Sequence, residues 1–240
     1  MITSASNPRL RLVRRLSSRR QRDREGLFVC EGEDLVQAAL DYGLEPVELL
    51  VDSERTVPGL PKAEAVEPRL LAELSTLGHP PRVIGIFRRG DLPRLNPQTP
   101  PPVGLALWHV VDPGNIGTLL RAADGLGPAF IALSLNCADP TGPKALRASA
   151  GAAFRVPMAS FDEAPGRRVA LVAHGSVPLD QLRLDEGTTF VLGAEREGLP
   201  NDVVASCDES ATIPLESGAE SLNVAIAGAI ALYEWRRRRR

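Results

Sequence analysis

Five polar side chains stand where apolar runs give way to turns or helices. They are Asn115 and Arg121 in DPGNIGTLLRAADGLG (Asp112 to Gly127), Glu195 in FVLGAEREGLP (Phe190 to Pro200), and Ser221 and Asn223 in IPLESGAESLNVAIAGAIALYE (Ile213 to Glu234). Strand-to-helix junctions are where open α/β sheets collect ligands. In the first segment Pro113 and Gly114 make a turn and Asn115 opens a helix, whose N-terminal amides attract an anion such as phosphate. Arg121, in the second turn, leans back towards Asn115 and Thr118 and can clamp that anion. The segment alone reads equally as a cap at Asn115 with Arg121 paired to Asp124 or solvent. Gly193 and Gly198 bracket Glu195 with positions that allow special backbone angles or close approach, as a plain charged turn also would. Ser221 reads as the cap of a helix running towards Glu234. Its interior, NVAIAGAIAL, is small and apolar nearly all round, which predicts burial on several sides or a subunit interface.

The elements that must carry these residues alternate. From Val103 onward the apolar runs VGLALWHVV, AFIALSLN, VALVAHG, TTFVLGA and ATIPL interleave with helix starts near Asn115, Pro143, Pro200 and Ser221. That pattern predicts an α/β domain with a mostly parallel sheet over residues 103–240. Residues 27 to 90 form a smaller α/β pattern, including a helix over Glu33 to Gly43, and the first domain is set at 1–90. Between them, DLPRLNPQTPPP (residues 91–102) reads as an extended, semi-stiff proline-rich connector. No GxGxxG follows the first strand and no GxxxxGK[ST] occurs, so any nucleotide-like cofactor must be held in another way.

Composition narrows the classes. The 240 residues, 43% of them hydrophobic, can build a substantial core. No apolar run approaches the ~20 residues of a membrane span, and the N-terminus is polar and arginine-rich rather than a signal sequence. A cytoplasmic location is the expectation. Cys30, Cys137 and Cys207 show neither disulfide nor zinc spacing, nor do His79, His109 and His174, so no metal is expected. The net charge of −2 conceals clustering: residues 1 to 25 carry Arg9, Arg11, Arg14, Arg15, Arg19, Arg20, Arg22 and Arg24 against Asp23 and Glu25. The stretch reads either as a phosphate-binding arm or as a solvated helix face. Only Lys62 and Lys144 are lysines, so the arginine excess is discounted as coding bias. The terminal run Arg236 to Arg240 receives no specific role.

The same motifs resemble the SpoU or TrmH-type RNA ribose methyltransferases of the SPOUT class. The resemblance extends over nearly the whole chain: DPGNIGTLLRAADGLG, LGAEREGL and IPLESGAESLNVAIA occur in the family's order, a fourth match spans DPTGPKALRASAGAAFRVP (Asp139 to Pro157), and EGLFVCEGEDLVQAAL resembles the accessory substrate-binding domain. It implies a C-terminal SPOUT domain with a deep trefoil knot, an exception to the usual absence of threaded chains. It also implies S-adenosylmethionine held largely by backbone at Ala173, His174, Gly193, Ile213 and Leu222. Asn115, Arg121, Glu195, Ser221 and Asn223 would surround the ribose hydroxyl. RNA would be held by Arg9, Arg11, Arg14, Arg15 and Arg147, and the protein would be a homodimer joined through its knotted domains. Trp108 and His109 depart from the acidic or amide pair common in relatives, and Arg196 replaces a common glycine.

The expected activity is S-adenosylmethionine-dependent methylation of a ribose 2′-hydroxyl, with ribosomal RNA as the leading substrate. A transfer RNA methylase and an antibiotic-resistance methylase of the same class are the near alternatives. A non-catalytic RNA-binding or ribosome assembly factor is the alternative from another class.

Overall fold

The computed structural model describes every residue except Thr56, Pro61, Glu186, Ser217, Gly218 and Arg240. The middle of the ESGAE loop and the last arginine of the terminal run therefore lie outside the described residues.

The arginine-rich start is not an arm. It folds into α1 (Pro8–Leu16) and α2 (Arg19–Glu25), the first opened by Pro8 and by the Asn7 side chain accepting from the Arg9 amide. Leu10, Val13 and Leu16 recur on one face of α1 and are buried with Leu50, Leu71, Ile84 and Ile86. Hydrophobic spacing thus overrides the charge pattern that made this stretch look solvated. The strands β1 (Leu27–Glu31), β2 (Glu48–Asp52), β3 (Glu64–Val66) and β4 (Val83–Arg88) form a mixed sheet in the order β1-β4-β2-β3, flanked by α3 (Glu33–Asp41) and α4 (Pro68–Leu74).

The proline-rich stretch that follows is not extended throughout, since Asp91 closes a 3₁₀ turn and the Thr99 amide donates to the Asn96 carbonyl, and it is anchored rather than free. The Leu95 amide donates to the Met158 carbonyl, the Met158 amide donates to the Pro93 carbonyl, and Gly187 N–H donates to Pro102.

Beyond it lies a seven-stranded sheet whose paired neighbours are all parallel: β5 (Val103–Leu107), β6 (Ala129–Leu133), β7 (Met158–Ser160), β8 (Arg167–Leu171), β9 (Val177–Pro178), β10 (Thr188–Leu192) and β11 (Glu209–Thr212). The order β7-β6-β5-β10-β8-β11-β9 places β10 between β5 and β8. Residues Leu107 and Leu192 pair directly, so the C-terminal ends of β5 and β10 finish side by side. The helices α5 (Pro113–Leu126), α6 (Pro143–Ser149) and α8 (Val224–Arg237) cover one face, and α7 (Asn201–Ala205) lies on the other with Phe161.

Helix α8 is buried along one face, through Val224, Ala225, Gly228, Ala231, Leu232 and Trp235, while Ile226 and Tyr233 are more than half exposed. The expectation of burial on several sides is thereby corrected, because α5 and the sheet approach it from one side only. The backbones of α5 and α6 approach closely, and a Cβ on Gly117 would stand 2.3 Å from the Ala145 carbonyl oxygen. Gly117→Ala must push two backbones apart, and we expect it to cost about 1–3 kcal/mol, read as a lowered urea midpoint. Cys30 and Cys137 are buried and Cys207 half-buried, and burial pushes the Cys30 and Cys207 thiols up. Among the described residues no helix is long and apolar enough to cross a membrane.

Candidate active site

The first helix of the larger sheet starts at Pro113, two residues earlier than the sequence suggested. Asp112, not Asn115, is the N-cap of α5, and its carboxylate accepts from the Gly114 amide and from Lys144 Nζ at 3.1 Å. The Lys144 ammonium, and then the Gly114 amide, hold the Asp112 carboxyl below its ordinary range. An aspartate before Pro-Gly carries the sequence signal of a cap, with Pro at N1. Asn115 is thereby released from capping.

Asn223, not Ser221, caps α8: its Oδ1 accepts from the amides of Ala225 (2.9 Å) and Ile226 (3.3 Å). That bond set orients the whole site. With Oδ1 occupied by two helix amides, Asn223 turns Nδ2 to Asn115 Oδ1 at 3.1 Å, and Asn115 then donates Nδ2 to Glu195 Oε1 at 2.9 Å. A carboxylate can only accept, so both amide orientations follow from the network itself. Residues from three remote segments thus form one polarised chain that ends on Glu195.

The loop bearing Glu195 is a closed turn. Ala194 and Gly198 exchange both backbone hydrogen bonds, at 3.1 and 2.9 Å, and Gly198 has φ +66°. Gly193 lies against this return so tightly that a Cβ there would stand 2.1 Å from the Gly198 carbonyl carbon. We expect Gly193→Ala to open the turn and weaken cofactor binding by tenfold or more, on the scale of about 1–3 kcal/mol for overpacking. Titration calorimetry with S-adenosylmethionine checks this.

Behind the chain lies a cavity of about 380 Å³ at the ends of β8, β10 and β11. Its wall includes Ala173, Gly193, Glu195, Ile213, Ser221 and Leu222. His174, one residue beyond Ala173, is exposed and forms no part of that wall. Ser221 is exposed at the rim and caps nothing. The cavity has an apolar floor of Leu171, Leu192, Ile213 and Val224, with the carboxylates Glu195, Glu197 and Glu220 and the cation Arg196 around it. Such a lining fits a flat heteroaromatic group joined to a cation, as in S-adenosylmethionine, and its size falls within the range of cofactor pockets. A larger cavity of about 620 Å³ lies where the two sheets' elements meet, lined by residues of mixed charge including Glu31, Arg82 and Arg147. The convergence of Asn115, Glu195 and Asn223 at its edge marks the smaller one as the candidate site.

Arg121 is exposed on α5. The pairing with Asp124 that the sequence allowed does not form, because Arg155 takes that carboxylate at 2.7 Å. Of the arginines assigned to RNA, Arg9 donates to Glu48 at 2.9 Å, Arg14 to the Ala5 carbonyl, and Arg147 to Thr76 Oγ1 at 2.8 Å, while Arg15 lies 4.0 Å from Glu25. Arg11, Arg14 and Arg15 share one shallow concavity with Pro8. Arg22, counted in the basic arm, is instead buried against Asp139 at 2.8 Å. That pair links positions 117 residues apart, and no local pattern could have announced it.

An open parallel α/β enzyme with a cofactor-sized cavity built from strand-end loops rather than a glycine-rich phosphate turn is the class this geometry defines. The chain belongs to the SpoU rRNA methylase family, whose model matches residues 102–233, and a model described as an MRM3-like substrate binding domain matches residues 7–85. Among curated relatives, it is 29% identical to the 23S rRNA (guanosine(2553)-2'-O)-methyltransferase RlmP of Bacillus subtilis over 98% of each chain. It is also 29% identical to the 23S rRNA (uridine(2479)-2'-O)-methyltransferase of Streptomyces viridochromogenes, over 93% of this chain and 87% of that one. Among solved structures, an AdoMet-bound rRNA methyltransferase from Sinorhizobium meliloti superposes with a TM-score of 0.85 at 30% identity, covering 99% of this chain and 97% of that one.

Proposed function

We propose that this protein transfers a methyl group from S-adenosylmethionine to a ribose 2′-hydroxyl of ribosomal RNA, and that it works as a homodimer in the cytoplasm. The observation that carries the reading is the Asn223–Asn115–Glu195 chain at the lip of the strand-end cavity. Bound in that cavity, the cofactor would supply an electrophilic methyl on a sulfonium. The chain's own residues then have two tasks, to align the hydroxyl and to hold the adjacent phosphate. Alignment alone contributes ~7 kcal/mol or more to a displacement. Glu195, fixed by Asn115, is the acceptor that orients the hydroxyl, and Ser221 stands on the same rim.

Arg121 is assigned to the phosphate and the developing alkoxide. A guanidinium keeps its proton at neutral pH and is a poor base there. Arg121→Lys keeps the charge and loses the planar fork. Its methyl transfer rate should fall, and near-normal activity would overturn this assignment. The parent reading is tested by tritiated methyl transfer to ribosomal RNA from cells lacking the enzyme, followed by mapping. Label on a base, or no cofactor binding at millimolar concentration, would overturn it.

The unit over residues 1–90 is assigned to RNA selection and the unit from Val103 to methyl transfer. The cluster of Arg11, Arg14 and Arg15 supports this, and RNA affinity should fall steeply with salt, by roughly 0.7 in log K per tenfold salt for each phosphate neutralised on a single strand. Arg11→Ala with Arg15→Ala should flatten that slope. The placement of β10 between β5 and β8 is compatible with the knotted crossing implied by the resemblance. The exposed Ile226 and Tyr233 on α8, with Val111 beside the site, support the dimer, which sedimentation measures.

A further inference from the structure

His109 has φ +53°, a left-handed conformation that few residues other than glycine adopt. The other such non-glycine residue among the described ones, Ala150, ends helix α6 and needs no further account. His109 ends no helix, and it stands at the end of β5, where the Trp108 amide donates to the Leu192 carbonyl one residue before Gly193. The conformation is held from several sides. The His109 amide donates to Ser134 Oγ at 2.9 Å, its ring stacks on Trp108 with centroids 4.6 Å apart, and Trp108 is braced edge-on by Phe161. Its Nε2 lies 3.3 Å from Nδ2 of exposed Asn136.

Next to Asn136 is Leu135, 92% exposed and the most exposed large apolar side chain among the described residues. Its loop is anchored: Ser134 N–H donates to Leu107, Ala138 N–H to Val110, and Arg19 of α2 donates to the carbonyls of Cys137 (2.7 Å) and Leu135 (3.4 Å). An adjoining groove of about 700 Å³ is flanked by Arg19, Arg89 and Arg94. A lone exposed leucine needs no explanation. An anchored leucine beside a strained, stacked imidazole, an exposed amide and an arginine-flanked groove is a different arrangement.

We infer that Trp108, His109, Leu135 and Asn136 form the seat of an RNA nucleobase at or next to the methylated ribose, so that this patch selects the nucleotide. Unstacked bases are recognised on aromatic faces, histidine included, and read at their edges by amides and imidazoles. Arg89 is paired with Asp23 and Asp139, so Arg19 and Arg94 would meet the phosphates on either side. The proposal deepens the RNA reading above and rests on it.

The test uses the full chain with Trp235→Phe, which leaves Trp108 as the sole tryptophan. Ribosomal RNA from cells lacking the enzyme should quench its fluorescence. Leu135→Ser and Asn136→Ala, at exposed positions, should each raise KM for that RNA by about tenfold, the scale of one lost base contact, with kcat within about twofold and cofactor affinity unchanged. Unchanged KM in both variants, with no quench, would overturn the proposal. A shifted dimer equilibrium with unchanged KM would do so too, assigning the patch to a second copy. If the parent transfers no methyl to ribose the functional reading fails by itself, and the quench still decides whether RNA occupies this seat.

Discussion

Asn115→Ala lowers the rate of methyl transfer by about a hundredfold, the cost of misplacing a reacting group by about 1 Å, and leaves cofactor affinity near its parental value. The expectation follows from the place of Asn115 in the chain of bonds. It is the middle member, accepting from Asn223 and donating to Glu195, and without it Glu195 loses the donor that holds Oε1. The strand-end cavity proposed for the cofactor has walls from other segments and is left standing. Asn115→Asp gives a comparable loss for a different reason: it sets a second acceptor-only carboxylate against Glu195, and the two repel. Single-turnover kinetics with saturating cofactor separate the chemical step from binding. A rate within threefold of the parent for both variants would remove Asn115 from the machinery.

Arg22→Met destabilises the protein by about 3–5 kcal/mol, because it leaves Asp139 buried and short of its partner. Arg22 and Asp139 are 4% and 6% exposed, and the guanidinium also closes the end of α1 by donating to the Leu16 and Ser17 carbonyls. Asp139 further accepts from the Thr141 amide and hydroxyl and from Arg89 at 3.3 Å. Burial by itself would raise the Asp139 carboxyl, yet the Arg89 charge, the Thr141 bonds and the Arg22 charge together hold it below its ordinary range. Its stabilisation is therefore complete above the unfolded value near ~3.9 and is lost as pH falls through the lower folded value. Asp139→Asn should remove that part of the acid sensitivity, so that urea midpoints of parent and variant converge as the pH drops below about 4. A constant gap between them across that range would refute the pair's role. The same pair means that a fragment starting at Val103 loses a buried contact as well as the first sheet, so the two units are not cleanly separable.

Much of the larger sheet was legible because its strands are buried on both faces and read as continuous apolar runs separated by turns. The starts of α6 at Pro143 and α7 after Pro200 were legible too, since proline and its neighbour restrict the backbone locally. The caps of α5 and α8 are Asp112 and Asn223, whereas the sequence also allowed Asn115 and pointed to Ser221. Capping depends on which polar group the backbone turns towards the first free amides, and several candidates stood within one turn. Helix α1 was missed as a core element because its arginines outnumber the three buried residues that seat it, Leu10, Val13 and Leu16.

The amino-acid order alone determined the alternation that makes an α/β protein, the motifs that place it among SpoU methylases, and the set of polar residues worth examining. These depend on local preference and on pattern, which are written along the chain. Only the tertiary structure decided that Asn223, Asn115 and Glu195 touch in that direction, that Arg22 serves Asp139 rather than phosphate, and that His109 is held in a left-handed turn beside Leu135 and Asn136. Such contacts join residues tens to more than a hundred positions apart. Their geometry is set by where parallel strands end relative to one another, which short-range preference does not encode.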